Sequence, residues 1–315
     1  MPSKKRLPTS RELEELVAAC RPLTWQGSPA SYIPALRMAD PAALGVCLTG
    51  CDGQVLTAGD ARIPFSIQSI AKLLVFACCV LDSGREQVSR KVSIEPTSDG
   101  FNAIANLETK NGNKPLNPMI NAGAIACLAL VRGETSLEKS GRIMDFARLL
   151  ADRPAMRLDE EVYLSEKQTG SRNRALSYYM QSTGILGPDI NVEDLLDAYF
   201  RICSISVTCV DLARIALVFA NNGRDPATGK ELFPKELART IKATMVMCGM
   251  YNESGRVAVR IGLPTKSGVG GGILSLVPDR AGIGIYGPAL NDAGSSVAGL
   301  ALLERLSDMM DASIF

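Results

Sequence analysis

The sequence predicts an α/β (α+β) fold in which one sheet is formed by distant chain segments and a helical domain is inserted between them. Three observations carry that prediction: short apolar strands near the N-terminus, a second group of them near the C-terminus, and a helical period over most of the chain between. Leu13 to Ala19 reads as a first amphipathic helix, with Ser10 as its N-cap and Glu12 to Glu15 in its first turn. It stops before Arg21-Pro22. Leu44 to Ala58 reads as a hairpin, with Leu44 to Leu48 as one strand, Cys51-Asp52-Gly53 as the turn and Val55 to Ala58 as the return. From about Ser69 to Met247 helices alternate with Gly, Pro and Asn clusters. Val257 to Ile261, Ile273 to Val277 and Gly282 to Tyr286 read as further strands, the last two separated by Pro278-Asp279-Arg280. Ser296 to Leu303 is the final helical pattern, and Met1 to Leu7 is expected to be a mobile tail. The expected division is a sheet subdomain over about 8–65 and 248–315 and a helical subdomain over about 66–247, all within one unit of 315 residues. A cleft is expected where the two meet.

Composition narrows the function. With 46% hydrophobic residues the chain can bury a large core. Lys and Arg number 34 against 33 Asp and Glu, and Lys4-Lys5-Arg6 is too short for a nucleic-acid surface, so no nucleic-acid partner is expected. No apolar run approaches the ~20 residues of a membrane span, and no secretory pattern opens the chain, so a soluble cytoplasmic protein is expected. The nine cysteines are an odd number and scattered, as suits reduced thiols. Cys47 and Cys51 have no second ligand pair nearby, and neither a metal nor an organic cofactor is expected.

The chain contains no histidine. A serine nucleophile here cannot be activated by imidazole, and a lysine is the obvious replacement. Ser69-Ile70-Ala71-Lys72 supplies one, since residues three apart share a helix face. The segment Phe65 to Lys72, followed by apolar Leu73 to Phe76, reads as a loop entering a buried helix. Such a start would aim Ser69 at the positive end of the macrodipole. An N-capping serine with a lysine reaching solvent is the plain alternative. Far downstream, Lys266-Ser267-Gly268 lies between apolar strands. Penicillin-binding proteins and serine β-lactamases carry Ser-x-x-Lys followed by Lys-Thr-Gly or Lys-Ser-Gly on a later strand. The alternative for Gly268 to Gly272 is a turn that lets two strands approach closely, and a phosphate cradle fits less well because no helix follows.

Other polar segments admit two readings each. Asn117 to Ile125 puts an asparagine just before a helix of small residues, where its plain reading is an N-cap. Glu166 and Asn173, seven residues apart, would share a face if helical, a solvated face on spacing alone. Tyr199 and Tyr251 supply phenols that could meet a substrate or only satisfy the core. A catalytic cysteine would lack its usual base.

Taken together, Ser31 to Leu36, Phe65 to Lys72, Glu95-Pro96-Thr97 with Phe101-Asn102, Asn117 to Ile125, Glu166 with Asn173, Gly249-Met250-Tyr251 and Lys266 to Ile273 resemble the serine-dependent glutaminases, in the family's order. The resemblance implies a β-lactamase/penicillin-binding-protein-like fold, with a central antiparallel sheet flanked by helices plus an inserted all-helical domain. It implies hydrolysis of L-glutamine to L-glutamate and ammonia through a Ser-Lys acyl-enzyme. Ser69 would be the nucleophile, Lys72 its general base and Tyr251 a proton relay. The backbone N–H groups of Ser69 and Val269 would form the oxyanion hole. Tyr32, Ser69, Asn121, Glu166, Asn173, Tyr199, Tyr251 and Val269 would bind substrate, with Glu166 facing its ammonium, and Lys266 would support Lys72. Ala71 stands where many relatives have serine, on the side away from Ser69 and Lys72. The loop Glu95 to Gly100 also departs from the commoner pattern, and Ser171 takes no role. A homodimer or homotetramer of a bacterial, single-catalytic-domain form is implied. Two rivals share the motifs: a penicillin-recognising acyl enzyme, and an amino-acid-binding module without turnover.

Overall fold

The computed structural model describes residues 6–98, 100 and 111–315. The Met1 to Lys5 part of the expected tail, Asp99 and the Phe101-Asn102 motif lie outside the described residues. In chain order the elements are α1 (Ser10–Cys20), β1 (Gly45–Gly50), β2 (Val55–Gly59), β3 (Phe65–Ser66), α2 (Ala71–Ser83), α3 (Arg85–Lys91), α4 (Asn121–Ala129), α5 (Ser136–Ala151), α6 (Glu160–Thr169) and α7 (Ser171–Ser182). Then follow α8 (Val192–Cys203), β4 (Ser206–Val207), α9 (Cys209–Ala220), α10 (Lys235–Cys248), α11 (Ser254–Arg260), β5 (Thr265–Ser267), β6 (Gly272–Val277), β7 (Ala281–Tyr286) and α12 (Val297–Met310).

Five strands form one antiparallel sheet in the order β2-β1-β7-β6-β5. The N-terminal hairpin meets the C-terminal meander where β1 pairs with β7, Val46 opposite Ile285 and Leu48 opposite Ile283. This is the sheet of distant segments that the strand pattern predicts. Its two faces are written into β7, because side chains alternate along a strand. Ile283 and Ile285 pack with Leu13 of α1 and Leu302 and Leu306 of α12. Gly282 and Gly284 point the other way, where α9 lies directly on the strand. A Cβ at Gly282 would stand 2.1 Å from Ala213 O, and one at Gly284 2.2 Å from Cys209 O. The helix that covers this face therefore comes from the middle of the chain. Its N-cap Thr208 and Asp211 form a reciprocal capping box.

Two local expectations are corrected. The N-cap of α1 is Thr9, one residue earlier than Ser10, because Thr9 and Glu12 bond reciprocally. Val257 to Ile261 is not a strand but the second half of α11 with Ile261 as its C-cap. The apolar alternation there also satisfies a four-residue helical spacing: Val257 and Ile261 are buried while Val259 is 88% exposed.

All nine cysteines are unpaired. Among the described residues no cluster of His, Cys, Asp or Glu could hold a metal ion, and no helix is long and apolar enough to cross a membrane.

Candidate active site

The short β3–β4 pair and the bond from Ile67 N–H to Ile205 O, 2.8 Å, anchor the chain just before α2. A 3₁₀ turn, Gln68–Ile70, then leads into the helix. Gln68 adopts φ 49°, a left-handed backbone that glutamine rarely takes and that the surroundings must impose. Ser69 and Lys72 emerge on one face, with Lys72 Nζ donating to Ser69 Oγ at 2.8 Å. The same ammonium or amine bonds to Asn121 Oδ1 at 2.7 Å and Tyr251 OH at 3.3 Å. Lys72 is only 1% exposed, so it does not reach solvent. Burial pushes its pKa down to about 8, against the pull of nearby acidic groups including Glu166.

The opposite wall comes from the C-terminal strands. Lys266 on edge strand β5 is wholly buried, donates to Ser267 O at 2.6 Å and sits 4.1 Å from the centre of the Tyr251 ring. Burial, and then the neighbouring Lys72, hold its pKa well below the usual lysine range. Tyr251 itself has φ 56°, and Gly249 before it lies so close to β5 that a Cβ would meet Thr265 O at 2.0 Å. The glycine turn Gly268 to Gly272 packs on the approach to the serine: a Cβ at Gly268 would be 2.8 Å from Ile67 O and one at Gly270 2.6 Å from Ser66 O. Close approach therefore explains these glycines, and it brings the backbone of Val269 beside Ser69 at the pocket. Among the described residues the Val269 N–H has no hydrogen-bond partner.

Between these walls lies a cavity of about 280 Å³ lined by Tyr32, Gln68, Ser69, Asn121, Glu166, Asn173, Tyr199, Cys203 and Val269, among others. That volume is near the lower end of the ~300–1,000 Å³ of small-ligand pockets, a size for a metabolite of few heavy atoms. Lys72, Tyr251 and Lys266 stand behind it, so the structure brings every one of the predicted site residues to a single place. Asn121 Nδ2 donates to Asn173 Oδ1 at 2.8 Å, and Tyr199 OH approaches Asn121 Oδ1 at 3.4 Å. Tyr32 is 55% exposed and belongs to the rim. The segment that follows it is tied to α6 by Ala35 N–H donating to Ser165 Oγ at 3.3 Å.

Glu166 is buried, and desolvation raises its carboxyl to about 7 although Gln68 hydrogen-bonds it and Lys72 lies nearby. A carboxylate held there by these two neighbours is still incompletely compensated, and a cation entering the cavity would stabilise its charged form. Glu166 and Asn173 do not share one helix. Gly170, with ψ 22°, separates α6 from α7, and it must be glycine because a Cβ there would strike the Phe200 ring at 2.4 Å. They converge on the cavity from two helices instead. Asn117 caps no helix either; its Oδ1 accepts from Met119 and Ile120 N–H in the turn before α4.

Gln68 and Cys203 line the site without having been singled out from the sequence. Cys203 follows Tyr199 by four residues on α8, a helical spacing that places it on the same face. Burial raises its thiol well above the usual range, which disfavours the thiolate that a cysteine nucleophile needs.

A glutaminase family model matches residues 27–315. A glutaminase of Clostridium tetani is 50% identical over 304 residues, 96% of this chain and 99% of the relative. One from Clostridium botulinum is 47% identical over 306 residues, 97% of this chain and 100% of the relative. Among solved structures, a Bacillus glutaminase superposes with TM-score 0.90 at 38% identity, covering 97% of this chain and 99% of that one. A Bacillus subtilis glutaminase in covalent complex with 5-oxo-L-norleucine, formed from 6-diazo-5-oxo-L-norleucine, gives TM-score 0.89 at 37% identity, over 97% of this chain and 99% of that one.

Proposed function

The chain belongs to the glutaminase family, so its reaction is the hydrolysis of an amide, and we propose that it converts L-glutamine to L-glutamate and ammonia through an acyl-enzyme on Ser69. The observation that carries the reading is the 2.8 Å contact of a buried lysine with a serine at the floor of a pocket whose far wall holds a buried glutamate. Neutral Lys72 takes the Ser69 proton as Oγ attacks the side-chain amide carbon. The developing oxyanion points to the N–H groups of Ser69 and Val269. The proton returns to the departing nitrogen through Lys72 or Tyr251, ammonia leaves, and water attacks the γ-glutamyl ester with the same base. Glu166 pairs the substrate ammonium, while Asn121, Asn173, Tyr199 and Tyr32 offer neutral groups to its carboxylate. The unpaired cysteines favour a reducing compartment, the cytoplasm in our reading. Assembly as a homodimer or homotetramer is supported by the family resemblance.

A coupled ammonia assay with L-glutamine, L-asparagine and a β-lactam tests this directly. Ammonia is expected from glutamine, with no stable acylation by the β-lactam. A penicillin-recognising enzyme would give the reverse, and a binding module would be thermally stabilised by glutamine without releasing ammonia.

Glu166→Gln should act on binding. Losing one charge-assisted hydrogen bond to the ammonium corresponds to a KM raised by about 10- to 100-fold with kcat little changed. A collapsed kcat at unchanged KM would place Glu166 in the chemistry instead.

A further inference from the structure

Two residues beyond Tyr251, at the end of the same 3₁₀ turn, Glu253 is buried, and its Oε2 has no hydrogen-bond partner among the described residues. Its Oε1 accepts from Asn291 Nδ2 at 3.1 Å and pairs with the half-exposed Arg256. Asn291 organises the loop before α12: its Oδ1 accepts from the N–H groups of Ala293 and Ser295, both at 3.0 Å, and its own N–H donates to Ser295 O at 2.9 Å. That loop backs Val269. Leu290 shares a buried cluster with Val269, and a Cβ at Gly294 would lie 3.3 Å from Val269 Cγ1. Ser295 Oγ is a second buried polar atom without a partner among the described residues.

A buried carboxylate with one unpartnered oxygen is a poor source of stability, so its contribution must be sought in placement. We propose that Glu253 and Asn291 form a polar strut that positions Tyr251 and Val269 relative to each other, so that phenol and oxyanion-hole amide face Ser69 from one braced unit. The strut joins the left-handed turn at Tyr251, which the residue would not keep unaided, to the loop behind the amide. The inference rests on the roles proposed above for Tyr251 and Val269.

The test compares E253A, N291A, the double variant and E253Q in ammonia release from glutamine, with S69A and Y251F as references. E253A and N291A should each lower kcat by about tenfold with KM held within about twofold, since a displaced catalytic group costs rate rather than ground-state binding. The double variant should be no slower than the worse single one, because one strut can be broken only once. E253Q, which keeps the acceptor for Asn291, should recover most of the rate. Should E253A not fold, N291A and E253Q carry the comparison. Folded N291A at wild-type kcat, additive losses, or a change in KM alone overturns the strut while leaving the Ser69 reading intact. Full activity in S69A overturns both readings, whereas full activity in Y251F overturns the strut alone by removing the role of the residue it positions.

Discussion

Ser69→Ala is expected to abolish glutamine hydrolysis, lowering kcat by roughly 10,000-fold or more, as removal of an activated nucleophile does elsewhere. Two features make the loss separable from unfolding. Ser69 is half-buried at the pocket floor, and its hydroxyl bonds to Lys72 Nζ in a site that surrounding helices already hold. Deleting it should cost about 1–2 kcal/mol, because Lys72 Nζ keeps Asn121 Oδ1 and Tyr251 OH as neighbours. The thermal midpoint should therefore stay close to that of the unsubstituted chain. The Bacillus subtilis relative that forms a covalent complex on reaction with 6-diazo-5-oxo-L-norleucine supplies a second readout. The intact chain should gain one adduct by mass spectrometry and Ser69→Ala none. Persistent turnover, or an adduct that survives the substitution, would assign the nucleophile to another side chain.

How much of this was legible in the residues depends on how local each feature is. The Ser69–Lys72 pair needs only a helical turn, so four residues specify it, and the missing histidine points to the lysine as base. The hairpin Gly45–Gly59 and the last two strands follow from alternation and turn residues in the same way. Features set by distant partners are less readable. Val257 to Ile261 alternates like a strand, yet Val257 and Ile261 are buried while Val259 faces outward, as only a helical spacing allows. Glu166 and Asn173 have the spacing of one helix, yet the chain breaks at Gly170, a glycine that the Phe200 ring, thirty residues away, requires. Glycines at 282 and 284 announce a close approach, but not that α9 makes it. Gln68, Cys203 and Glu253 acquire their surroundings through tertiary contacts, and only Cys203 leaves a trace in spacing, four residues after Tyr199.

Lys72→Met should be the second large loss, and it discriminates most sharply between structural and chemical roles. Methionine matches the length and apolar stem of lysine, so burial is preserved while the amine is lost. Losing the amine removes its desolvation cost but leaves Asn121 Oδ1 and Tyr251 OH each short of a buried neighbour, which costs about 1–3 kcal/mol. The thermal midpoint should therefore fall by a few degrees at most, with the fold retained. Activity should fall by about 100- to 10,000-fold, the usual contribution of a positioned general base. The pH profile gives the sign. With its pKa near 8, Lys72 is mostly protonated at neutrality, about one-tenth of it being free base at pH 7. kcat should climb with rising pH and then flatten, because only the neutral amine can accept the Ser69 proton. Glu166 titrates near 7 and must be ionised to pair an ammonium, so KM should fall as pH rises through that lower value. The two limbs thus appear in different constants. A kcat that is level from pH 6 to 9, or a folded Lys72→Met protein that keeps most of its activity, would mean that the buried lysine does not serve as the base.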